Sequence, residues 1–243
     1  MLRYLITVAF DGTAYHGWQV QPNGITVQKV LNDCLFELLG EKTSVTGCSR
    51  TDTGVHAREF AFHIDCKDNI PESAFTKGLN SILPSDIAVI ACRRVDPDFH
   101  ARYNAKGKTY VYGMYTGAKN PFDERYYLHL ERVPDTEKMA EFAKTLIGEH
   151  DFCGFSSSGR SVEDTVRTVS ACTVTREDNK IYFSITANGF LYNMVRILAG
   201  TALAVGCGRL GTDVANSVFD KKDRSLAGDT LPPQGLFLEK VYY

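Results

Sequence analysis

The 243-residue sequence predicts an α+β fold of two ferredoxin-like halves, each running β-α-β-β-α-β, with mainly antiparallel sheets facing or merging around a central cleft. Two observations carry this expectation. Strand-like and helix-like stretches alternate in the same order twice along the chain. The helical stretches are also bounded by residues that start and stop helices. The joint falls near residues 100–108, which gives an N-terminal half at 1–105 and a C-terminal half at 106–243.

In the first half, residues 4–10 form an apolar strand. Residues 27–39 form a helix in which Val27, Val30, Leu31, Cys34, Leu35 and Leu38 keep i, i+3, i+4 spacing, Thr26 caps the start and Gly40 ends it. A strand at 44–46 leads into a polar loop, and Phe60, Phe62 and Ile64 alternate on the strand that leaves it. Pro71 opens a second helix, Pro84 closes it, and a strand follows at 87–95. The second half repeats the order with a strand at 109–115, a helix at 135–147 stopped by Gly148, and strands at 166–175 and 181–187. A helix at 190–205 and a terminal strand at 236–242 complete it, with a short helix at 213–219 as decoration.

The composition, 44% hydrophobic and 23% charged, is that of an ordinary globular chain with enough apolar residues for a substantial core. A net charge of -2 gives no bulk electrostatic pull toward nucleic acid, so a basic surface must be made by segregating charge onto one face. Seven cysteines are scattered without a Cys-x-x-Cys pair, which fits a reducing compartment better than a zinc ribbon or a disulfide framework. The start of the chain does not read as a signal peptide, and the longest apolar stretch, residues 197–207, is far shorter than a membrane span. We expect a cytoplasmic protein with no metal; the six histidines show no pair at ligand spacing.

The chemistry is expected in the loop Gly-Cys-Ser-Arg-Thr-Asp-Thr-Gly-Val-His-Ala at residues 47–57, where Asp52 stands two residues from Arg50. An aspartate before a glycine often serves only an Asx-type turn. A neighbouring cation, which would hold the carboxylate ionised, is more than a turn requires. Asp52-Thr53-Gly54 also matches the tripeptide of aspartic proteases, but a single copy would demand a symmetric dimer, and Arg50 would spoil a shared proton. Gly206-Cys-Gly-Arg-Leu-Gly211 has dinucleotide-loop spacing but follows a helix, so it reads as a helix end. Tyr110 and Tyr112 share one sheet face, either as core or, given the basic surround of Arg93, Arg94, Arg102, Lys106 and Lys108, as a platform for nucleobases. Arg196 lies in an apolar helix, where it must snorkel outward or meet a carboxylate, Asp52 being the candidate.

Taken together, several blocks in order resemble the TruA family of tRNA pseudouridine synthases. They are residues 10–19 (Phe-Asp-Gly-Thr-Ala-Tyr-His-Gly-Trp-Gln), 50–57 (Arg-Thr-Asp-Thr-Gly-Val-His-Ala), 99–102 (Phe-His-Ala-Arg) with 108–112 (Lys-Thr-Tyr-Val-Tyr), 148–152, 167–168, 189–196 and 232–236. The resemblance implies isomerisation of uridine to pseudouridine at positions 38–40 of the tRNA anticodon arm, without metal or cofactor, by a homodimer. It implies Asp52 as the nucleophile, Tyr110 stacked on the target base, Arg196 paired with the aspartate and Arg50 assisting base flipping. Arg58, Arg93, Arg102, Lys106 and Lys108 are expected at the substrate phosphates. The chain departs from the family pattern at Cys48, Ser49, Thr53 and Leu231, and at Asn193, where histidine is common. A tRNA-binding or folding module without catalysis is the competing reading.

Overall fold

The computed structural model describes residues 1–159 and 163–243. It divides into two compact units, Met1–Lys106 with Phe237–Tyr243, and Gly107–Leu236.

The first unit is built on strands β1 (Leu2–Phe10), β2 (Thr46–Gly47), β3 (His56–Cys66), β4 (Ile87–Val95) and β10 (Leu236–Tyr242). β1 pairs antiparallel with both β3 and β4, and β2 pairs antiparallel with β3, giving the spatial order β4-β1-β3-β2 of a split βαβ unit. The far edge of β3 is shared. β2 occupies it at Phe62 and His63, while β10 runs parallel to it at His56 and Ala57. This pairing is why the terminal strand groups with the first unit, whereas the sequence suggests the second.

Helix α1 (Val27–Leu39) has the bounds its pattern dictates. Thr26 Oγ1 accepts from Lys29 N–H at 3.3 Å, and Gly40 closes the helix in the left-handed region at φ 69°. Val27, Leu31, Cys34 and Leu35 are buried; complete burial is worth about 1.5–3 kcal/mol for each large aliphatic side chain. Tyr4, Ile6, Phe60, Phe62 and Ile64 fill the same core. The helix expected after Pro71 is instead a π-helical turn, Ala74–Leu79, running into the short α2 (Asn80–Ile82).

The second unit has strands β5 (Gly107–Thr116), β6 (Leu128–Leu130), β7 (Gly148–Asp151), β8 (Val166–Glu177) and β9 (Lys180–Ala187). The order β5-β9-β8-β7 is antiparallel throughout, and β6 lies parallel beside β5. Helices α3 (Thr136–Thr145), α4 (Met194–Gly206) and α5 (Val214–Lys221) complete the unit. Asp135 caps α3 by accepting from Glu137 and Lys138 N–H, both at 3.1 Å. α4 is apolar and buried along nearly its whole length, and α3 packs on it. The glycines after α4 form its end, with Gly208 at φ 71°, as expected of a helix stop. No helix among the described residues is long and apolar enough to cross a membrane.

Candidate active site

The loop between β2 and β3 is held by backbone contacts on both sides of Asp52. Trp18 N–H donates to Thr51 O at 3.2 Å, Gly54 N–H to Tyr15 O at 3.2 Å, and Val55 N–H to Asp52 O at 3.2 Å. Gly17 stands at φ 76°, and a Cβ there would lie 2.4 Å from Thr51 O, so only glycine lets the 12–18 segment approach this closely. Beneath the loop the Trp18 ring stacks on Phe60 at 3.9 Å, and Gly47 leaves room for its indole. Gly12 N–H donates to Nδ1 of the buried His56, whose ring stacks on Phe237 at 4.6 Å. The half-buried Asp52 thus sits on a scaffold fixed by one short-range turn, two backbone bonds to the 15–18 segment and two ring stacks. The Thr51 hydroxyl is buried with no hydrogen-bond partner among the described residues.

Arg50 is exposed two residues before Asp52 and lines a cavity of about 270 Å³ together with Gln19, Ser49, His100, Arg102 and Tyr103. Arg58 leaves β3 beside β10. There it pairs with Glu239 at 3.1 Å and lies 5.1 Å over the Phe237 ring. Lys106 is exposed, with its N–H donating to Tyr242 O at 2.8 Å.

In the second unit Tyr110 lies on β5 opposite Ile185, 7% exposed, with its ring edge-on to Phe190 at 5.0 Å. Tyr112, two residues on, is fully buried and donates its hydroxyl to Pro232 O at 2.7 Å; burial holds its phenol pKa well above the usual range. Arg196 stands in the first turn of α4. Its Nε donates to Leu231 O at 2.6 Å and its Nη1 to Asn193 Oδ1 at 2.8 Å. Leu231 N–H returns a bond to Arg196 O at 3.3 Å. Segment 228–232 runs so close to α4 that a Cβ on Gly200 would meet Asp229 O at 1.9 Å. The carbonyls of Leu231 and Pro232 thereby tie Arg196 and Tyr112 to one strap.

Of the sequence-predicted residues, the structure gathers Arg50, Asp52 and Arg102 around one loop and its neighbouring cavity. It fixes Tyr110 and Arg196 on β5 and α4. Lys108, by contrast, is only 9% exposed on β5, unlike the open cations expected at phosphates. Sequence reasoning missed two participants in the cavity, His100 and Tyr103, although the run Phe99-His-Ala-Arg-Tyr103 carried the signal of aromatic rings next to a cation in a loop.

Comparison with known proteins is consistent along the chain. A family model described as tRNA pseudouridine synthase matches residues 6–104 and 142–243. The chain is 43% identical over 244 residues to tRNA pseudouridine synthase A of Thermoanaerobacter sp. (strain X514), with both chains covered completely. It is 45% identical over 251 residues to the protein of that name from Lacticaseibacillus casei (strain BL23), again over 100% of both chains. It is 42% identical over 239 residues to tRNA pseudouridine synthase A 2 of Clostridium perfringens (strain 13 / Type A), covering 98% of each.

Proposed function

The chain belongs to the tRNA pseudouridine synthase family, and from that premise we propose that it isomerises uridine to pseudouridine in the anticodon arm of tRNA, at positions 38–40, with Asp52 as the nucleophile. The observation that carries this reading is the full-length likeness to relatives bearing that name.

The reaction breaks the bond from C1′ to N1, joins C1′ to C5, and moves the C5 proton to solvent while N1 gains one, so no redox partner is needed. A carboxylate can stabilise or trap the sugar at C1′ as the base leaves, the role it plays in retaining glycoside hydrolysis. Because the uracil rejoins the same sugar, it must stay in the site and water must stay out. In this proposal Tyr110 stacks on the base, and the guanidinium of Arg196, pre-set by Leu231 O and Asn193 Oδ1, pairs with the Asp52 carboxylate.

The target uridine is stacked in the arm and must be extruded, which costs a few kcal/mol. Arg50, exposed at the edge of the loop, is suited to fill the space the base leaves. Phosphate contacts fall to Arg58, Arg102 and Lys106. The Arg58–Glu239 pair is at the surface and worth about 0–1 kcal/mol, so a phosphate can displace the glutamate. Lys108 is left out of that set because it is buried. The working form proposed is a cytoplasmic homodimer with tRNA lying across both subunits.

Incubation with an unmodified tRNA transcript and mapping of pseudouridine along it tests the reading. Modification confined to positions 38–40 supports it, and modification elsewhere, or none, contradicts it.

A further inference from the structure

The segment after β4 presents an aromatic ring to solvent on an unusually rigid support. Tyr103 is 77% exposed, yet the turn that carries it is tied on every side. Arg3 Nη1 donates to Phe99 O at 2.8 Å, Ala101 N–H donates to Nδ1 of the buried His63 at 3.1 Å, and the Tyr243 hydroxyl donates to Ala101 O at 2.8 Å. His100 N–H donates to Asn104 Oδ1 at 2.6 Å, and His100 Nδ1 accepts from the N–H groups of Arg102 and Tyr103 at 3.1 and 3.3 Å. The His100 ring then packs against Tyr103 at 4.3 Å, with the Arg102 guanidinium 5.9 Å from the tyrosine ring. His63 closes the row edge-on to His100 at 4.8 Å.

An exposed tyrosine packed only by chance would be free to turn. Here one face is backed by an imidazole and the backbone is pinned, so little entropy is lost when a second flat ring covers it. The same residues line the cavity of about 270 Å³ that Arg50 shares. That volume is at the small end of ligand clefts, suited to one nucleotide and not to a stem. The guanidinium of Arg102, beside the Tyr103 ring, supplies the charge a phosphate requires.

We propose that this cleft is a subsite for one unpaired nucleotide of the substrate RNA, distinct from the target uridine, with its base stacked on Tyr103 and its phosphate on Arg102. A base must be unpaired and unstacked to offer its face in this way, which directs the subsite toward a loop nucleotide. The subsite rests on the reading of the protein as a tRNA pseudouridine synthase, and its chemical content goes beyond that reading.

The variant Y103W places an indole on the platform, while the sole native tryptophan, Trp18, is 2% exposed and gives the wild-type background. Titration with an anticodon-arm hairpin is expected to quench the new indole, and titration with a fully paired RNA duplex of equal length is not. Y103A should weaken hairpin binding about 5-fold or more, the lower range of base–aromatic stacking, and Y103F, which keeps the ring, should restore it. Unchanged hairpin affinity of Y103A, or equal quenching of Y103W by hairpin and duplex, overturns the subsite while wild-type pseudouridine formation still upholds the family reading. Failure of the wild-type protein both to bind the hairpin and to form pseudouridine in tRNA overturns the reading on which the subsite rests.

Discussion

Arg196 donates from Nη1 to Oδ1 of Asn193 at 2.8 Å, and Asn193 itself stands in the left-handed region at φ 58° with its Nδ2 donating to Ser157 Oγ at 3.0 Å. The amide is therefore fixed in orientation, with its acceptor toward the arginine and its donor toward the serine. Ser157 N–H in turn donates to Tyr192 O at 3.1 Å, so this asparagine links the proposed catalytic arginine to the 156–159 segment.

Replacing Asn193 by glycine keeps the backbone conformation and removes the amide. We expect Asn193→Gly to retain its melting temperature within a few degrees while kcat falls about 10-fold, the scale of one charge-assisted hydrogen bond, with KM little changed. Asn193→Ala adds about 1–2 kcal/mol of left-handed strain and should melt lower than the glycine variant. Steady-state kinetics with thermal melts checks both, and equal kcat for wild type and Asn193→Gly would refute the positioning role.

Gly17→Ala places a methyl group 2.4 Å from Thr51 O at a positive φ. The loop must shift, so the variant should lose 2 kcal/mol or more of stability and most of its activity. A chemical-denaturation curve and a turnover assay on the same sample read both effects.

Thr51 should respond in the opposite sense for stability. Its hydroxyl is buried and unpartnered among the described residues, so Thr51→Val removes a desolvated group without leaving a cavity. The expected change is neutral to about 1 kcal/mol stabilising. A loss above 1 kcal/mol would show that the hydroxyl is satisfied in solution.

His63 sets an acid limit. Burial, reinforced by the nearby Arg3 and His100 and opposed by Asp65, lowers its pKa to about 4 from an ordinary value of 6.5. Between these values the unfolded chain holds the proton and the folded chain does not, so stability is full above pH 6.5 and falls as the pH drops toward 4. The loss should be on the order of 2 kcal/mol. His63→Gln can still accept from Ala101 N–H and should flatten the melting temperature between pH 7 and pH 4.5. Asp65, whose carboxyl the Arg3 guanidinium holds below the usual range, contributes only at still lower pH.

Salt dependence checks the basic surface. With several phosphate contacts, tRNA affinity should fall by orders of magnitude between 50 and 200 mM salt. A flat response would remove Arg58, Arg102 and Lys106 from the interface.

Local signals made part of this molecule legible in its sequence. The helix at Val27–Leu39 was readable residue by residue because both caps and the apolar stripe lie within it. The strands Ile87–Val95 and Leu236–Tyr242 were likewise bounded by their own turn residues. Other boundaries depended on partners far along the chain. β7 (Gly148–Asp151) exists because His150 and Asp151 pair with Arg167 and Val166, a contact that no periodicity in four residues could announce. α4 starts at Met194 and not at 190 because Asn193 takes a left-handed conformation, which its sequence context does not demand. The same contrast holds for the site. The Asp52 loop was visible as a cluster of polar residues in one stretch, whereas the cavity at Tyr103 is assembled from Gln19, Arg50 and His100, separated by dozens of residues.

In the proposed function Asp52 carries the chemistry of uridine isomerisation. The most direct measurement follows label release from tRNA transcribed with uridine tritiated at C5, for wild type and Asp52→Asn, alongside the affinity of each for the same tRNA. Release by the wild type, none by the variant, and affinities within a few-fold of each other are expected. Release by Asp52→Asn at a rate comparable to wild type would contradict that role.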